Sequence, residues 1–92
     1  GVLRVDNTFT VDGDGEPWNV PVSNQYMFYA VGDFGAGCLS LESSPNGDGV
    51  NWFTVDQLTA PGRLIRYLVS GEKVRLSLIN STNPNVKAGI RQ

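Results

Sequence analysis

The run Asp12-Gly13-Asp14-Gly15-Glu16 sets three carboxylates at alternate positions, the spacing at which hard oxygen ligands converge on a calcium ion. A helix-flanked calcium loop counted from Asp12 needs its bidentate acid where Ser23 stands, so that motif is rejected. A looser site through Asp12, Asp14 and Glu16 competes with a simpler role, acids that solvate a turn. A lone Cys38 and no His leave no donor set for a zinc cage and no partner for an intramolecular disulfide. Without His a serine nucleophile lacks its usual general base, and Lys73 and Lys87 fall in turn or strand contexts where lysine is a solvated charge. Cys38 itself lies in a strand pattern and reads as a small buried apolar residue. Asp33, Glu42, Asp56 and Glu72 are scattered singly, with no pair at glycosidase spacing. The reading is a chain with no catalytic residues, no cofactor and no metal, hence not an enzyme, whose work is binding or assembly.

The elements that would carry such work are strands. Period-two alternation places Leu3, Val5, Phe9 and Val11 on one face and Arg4, Asp6, Thr8 and Thr10 on the other. Trp18, Val20 and Val22 alternate with Asn19 and Pro21, and the proline assigns that run to an edge or a bend. Gln25 to Val31 is apolar on both faces, which predicts a central strand covered on both sides or covered by a neighbouring subunit. Cys38 to Glu42, Trp52 to Gln57, Arg63 to Val69, Val74 to Asn80 and Val86 to Arg91 repeat the template. The joints are rich in turn formers, among them Pro45-Asn46-Gly47-Asp48-Gly49, Ala60-Pro61-Gly62 and Asn83-Pro84-Asn85. With 11 Gly and 5 Pro, and no helical stripe, the pattern predicts an all-β chain, an antiparallel β-sandwich or jelly-roll-like barrel of about eight short strands.

At 92 residues the chain has room for one core, read as a single domain over 1–92. Hydrophobic residues at 40% and charged residues at 17% are those of a folding chain. Seven Lys and Arg against nine Asp and Glu give a net charge of −2, no footprint for nucleic acid. Neither a membrane-length apolar run nor a signal pattern after Gly1 is present, so the chain reads as soluble and unprocessed apart from loss of an initiating Met. Without disulfide or metal, a domain of this size gains stability from copies of itself or from a larger partner.

Two segments echo one another: Thr10 to Trp18 and Ser44 to Trp52 both read hydroxyl, any residue, Asp or Asn, Gly-Asp-Gly, two residues, Trp. Shared turn chemistry accounts for this; the alternative is a duplicated presenting loop. Ser44, Asn46, Asp48, Gly49 and Trp52 are similar to the Asp-box of carbohydrate-active propellers, with one inserted residue and Asn46 for Asp. In that family the box is a structural hairpin.

Trp18, Trp52, Phe53, Tyr26, Phe28, Tyr29, Phe34 and Tyr67 exceed what one sandwich face must bury, and of these Tyr26, Phe28, Tyr29, Phe34, Trp18 and Trp52 are nominated as interface residues or, for the tryptophans, a sugar platform. Arg63, Arg66 and Arg75 could pair with acids of a neighbouring subunit.

The order Cys38-Leu39-Ser40-Leu41-Glu42-Ser43-Ser44-Pro45-Asn46-Gly47, Asn51-Trp52-Phe53, Pro61-Gly62, Val74-Arg75-Leu76-Ser77-Leu78 and Val86 to Ile90 resembles the small β-sandwich virion modules of tailed bacteriophages. The resemblance covers a little over half of the chain. It implies a non-enzymatic structural protein in the virion, present in the host cytoplasm during assembly. Its implied role is a capsid decoration (cement) protein bound to the major capsid protein or another virion protein. It further implies a homo-oligomer, a trimer first, with neither nucleic acid nor membrane as partner. The alternative is a carbohydrate-binding or receptor-binding module of a tail or adhesin.

Overall fold

The computed structural model describes residues 1–92. Nine strands follow one another: β1 (Leu3–Phe9), β2 (Gly13–Asp14), β3 (Trp18–Asn19), β4 (Asn24–Asp33), β5 (Cys38–Ser44), β6 (Phe53–Leu58), β7 (Gly62–Leu68), β8 (Lys73–Ile79) and β9 (Asn85–Arg91). All pairings are antiparallel. The first sheet runs β1-β9-β4-β7; the second runs β2-β8-β5-β6, with β3 also pairing β8. The chain is thus an all-β sandwich, as the alternation predicts, with the Trp18 to Val22 run contributing only the short β3.

The core lies between the inward rows of the two sheets. Tyr26, Phe28 and Ala30 of β4 and Val86, Ala88 and Ile90 of β9 face Leu39 and Leu41 of β5 and Val74, Leu76 and Leu78 of β8, all buried. These rows are strict alternations, which the hydrophobic effect converts into one buried face per strand. Trp18 packs at the margin, edge-on to Tyr26 at 5.8 Å between centroids, and the Tyr26 hydroxyl donates to Val22 O.

Two expectations shift. Arg4 is an extra residue in β1, because Leu3 pairs with Arg91 while Val5 already pairs with Ile90. The bulge re-aims Leu3 outward, where it is 43% exposed. Val11 lies past the end of β1 and is 70% exposed, so only Val5 and Phe9 of the expected face reach the core. Cys38 is half-buried rather than fully buried, at the end of β5 opposite Ile79.

Candidate interaction surface

The two outer faces of the sandwich differ in chemistry. On the second sheet, Ser40, Glu42, Arg75, Ser77 and Gln57 point outward and satisfy one another. Arg75 Nε donates to Glu42 Oε1 at 2.8 Å, and a second arm of the guanidinium lies 3.4 Å from Asp14. Ser77 donates to Asp14 and Gln57 to Ser40. The Arg75 guanidinium also covers the Trp52 ring, 4.1 Å from its centroid.

On the first sheet, register puts Met27, Tyr29 and Val31 of β4 outward, opposite Ile65 and Arg63 of β7 and Arg91, Gly89 and Lys87 of β9. Tyr67 continues the row beside Gln25. Val31, Ile65 and Tyr67 are exposed by half or more. Tyr29 and Met27 are half-buried, and the Arg63 guanidinium lies 3.9 Å from Met27 Sδ. Arg63, Lys87 and Arg91 have no carboxylate partner, whereas Arg66 is paired with Asp56 and Arg75 with Glu42 and Asp14. The acids of this face are Asp6, opposite Gly89, and Asp33 at the far end of β4. It is an apolar strip flanked by unpaired cations on a chain of net negative charge.

Of the six aromatic residues nominated from the sequence as interface, Tyr29 alone lies on this face, where Arg63 lies beside it. Tyr26, Phe28 and Phe34 are core residues, 2%, 1% and 5% exposed, and cannot line a surface of the folded chain. Trp18 and Trp52 are half-buried at the sandwich margin and in the 44–52 turn. The run Tyr26 to Val31 is apolar at every position, so alternation in the sequence gives no phase; the inward row is 26, 28, 30 and the outward row 27, 29, 31. Arg66 and Arg75 pair within the chain, leaving Arg63 of the three arginines for an outside acid.

The acidic loops are structural. Asp48 takes the Ser44 hydroxyl at 2.7 Å and the N–H groups of Val50 and Asn51 at 2.8 and 3.2 Å. Trp52 Nε1 donates to Gly49 O, and Gly47 and Gly49 hold φ of 75° and 71°, which a side chain resists. The Val50 N–H above all, then the Ser44 hydroxyl, holds the Asp48 carboxyl far below the ordinary range. The echoed segment is built otherwise: Asp14, aligned with Asp48, reaches across to Ser77, and Asp12 accepts from the Ser81 hydroxyl and its N–H. The Ser81 hydroxyl chiefly lowers the Asp12 pKa. Asp12 and Asp14 are thereby spent on β8 and its following turn, and no trio of carboxylates or thiols gathers for a metal.

No family model and no curated protein matches the chain. Among solved structures, one similar chain is a pentameric capsid protein isolated from metagenomic phage sequences, at 18% identity and a TM-score of 0.44 over 94% of this chain. The chain spans 65% of that chain's length.

Proposed function

We propose that this chain is a non-enzymatic structural module of a phage virion, a decoration or cement protein that docks on the assembled head through the outer face of its first sheet. The observation that carries the reading is the contrast between the two outer faces. Ser40, Glu42, Gln57, Arg75 and Ser77 of the second sheet form one internally paired network, with Lys73 and Ile79 outside it at the two ends of β8, while the first sheet presents Met27, Tyr29, Val31, Ile65 and Tyr67 with Arg63, Lys87 and Arg91 lacking a carboxylate partner around them. Apolar anchors with a charged rim are the composition of a protein–protein interface, and arginine and tyrosine dominate the energy of such contacts. A partner surface that is acidic with an apolar centre complements it. The sequence order from Cys38 to Ile90 supports the virion assignment.

A carbohydrate platform gains less from the geometry. Trp52 has one ring face covered by Arg75, and Trp18 is turned edge-on into Tyr26.

A cement protein binds the assembled shell and not its free subunits, so it stabilises the shell by mass action. The test is thermal disruption of expanded heads built from the major capsid protein of the phage that encodes this chain, with and without saturating protein. The reading expects disruption at higher temperature when the chain is bound; identical curves at saturating protein overturn it.

A further inference from the structure

Two sheets have edges, and all but one are blunted. β1 is interrupted by the bulge at Arg4, and β6 by a bulge at Val55, which lies between the pairs Leu41–Asp56 and Glu42–Thr54. β2 and β3 share the free side of β8 and have two residues each. β7 differs. Its seven residues pair with β4 in unbroken register, no strand lies on its other side, and Ile65 and Tyr67 are exposed. A long regular apolar edge is a template for another strand.

The direction of its backbone groups follows from the alternation of antiparallel bonds. Val2 and Gln92 exchange reciprocal hydrogen bonds, so the even residues of β9 bond β1 and its odd residues bond β4. Carried across β4, the alternation gives the even residues of β7 to β4 and turns the N–H and C=O of Arg63, Ile65 and Tyr67 to the open edge. Consistent with this, the Ile65 carbonyl accepts a bond from the Arg66 guanidinium and not from β4.

We infer that β7 pairs antiparallel with β7 of a second copy about a two-fold axis at Ile65. In that register Ile65 faces its own mate and Arg63 faces the mate's Tyr67, a cation over an aromatic ring. Every edge-facing residue then meets another, each opposed pair exchanging two backbone bonds. Moving the axis to Leu64 sets Tyr67 against Pro61, which has no N–H to give, and moving it to Arg66 sets Arg66 against itself. The Arg66 guanidinium releases the Ile65 carbonyl and keeps its pair with Asp56. The two outer faces become one continuous surface, so the contact builds on the docking face of the proposed function and enlarges it. A two-fold contact builds pairs, where the resemblance drawn from the sequence implies three chains.

The test combines mass and register. Light scattering over a concentration series reads the oligomer, and Ile65→Lys, which sets like charges on the axis, is predicted to release single chains. In a Cys38→Ser background, Ile65→Cys is predicted to cross-link to itself on oxidation, since opposed Cα atoms at about 5.5 Å suit a disulfide. Tyr67→Cys, displaced from its mate by about 13 Å along the strand, is predicted not to. An oligomer that keeps its mass in Ile65→Lys and does not cross-link at Ile65 overturns the edge contact and leaves head binding standing. A single chain at every concentration likewise overturns the contact, while head binding is read separately.

Discussion

Tyr29 lies directly over Gly89, its partner across the β4–β9 ladder. A Cβ built at Gly89 would sit 2.7 Å from the tyrosine hydroxyl and 2.5 Å from the carbonyl oxygen of Val5. An aromatic ring laid over a cross-strand glycine covers backbone that would otherwise be open. Here it also fixes the ring at the centre of the proposed docking face.

Gly89→Ala therefore puts a methyl group against both a ring and a backbone oxygen, and the oxygen belongs to β1 and cannot turn away. The expected loss is about 1–3 kcal/mol in urea unfolding, as for other overpacked sites. The β1–β9 amides should also exchange faster. An unchanged midpoint would mean that β1 yields more readily than its ladder suggests.

Arg75 holds two carboxylates and a tryptophan ring together. Replacing it by Ala leaves Glu42 and Asp14 without their cation and uncovers Trp52, for an expected loss of about 1.5–3 kcal/mol, the range for charged hydrogen bonds. Tryptophan emission should shift to longer wavelength. Because this network lies on the second sheet, residual folded protein should bind heads normally.

Asp48 and Asp12 bind a proton more weakly in the folded chain than in the unfolded one, through the Val50 N–H and the Ser81 hydroxyl respectively. Acid thus favours the unfolded chain: their contribution is complete above about pH 4 and is lost as pH falls through the folded-state values. Urea midpoints should fall across that acid range, and Asp48→Asn should flatten the fall while loosening the Val50 and Asn51 amides in hydrogen exchange. An equally steep fall in Asp48→Asn would assign the acid sensitivity to other groups.

Strand positions were largely legible in the sequence because each buried row is an alternation bounded by Gly, Pro, Asn or Asp. What alternation cannot reveal is phase in a run that is apolar throughout. Tyr26 and Phe28 on one side of β4 and Met27 and Tyr29 on the other are equally hydrophobic, and only the pairing of β4 with β7 and β9 decides between them. The bulge at Arg4 is likewise silent, since it depends on where β9 ends. Arg75 meets Glu42 across 33 residues of chain, and Arg66 meets Asp56 across the gap between sheets, so long-range register and not local sequence leaves Arg63 as the one of these three arginines without a carboxylate.

The central claim is that the first sheet's outer face docks the chain on a phage head, and co-sedimentation with expanded heads tests it most directly. The paired substitution Lys87→Glu and Arg91→Glu reverses the cationic rim far from the β7 edge, while Gln57→Glu adds a negative charge to the opposite sheet. The account predicts that the rim reversal weakens head binding by about tenfold or more and that Gln57→Glu leaves it intact. Equal binding by the rim variant, or loss confined to Gln57→Glu, would contradict it.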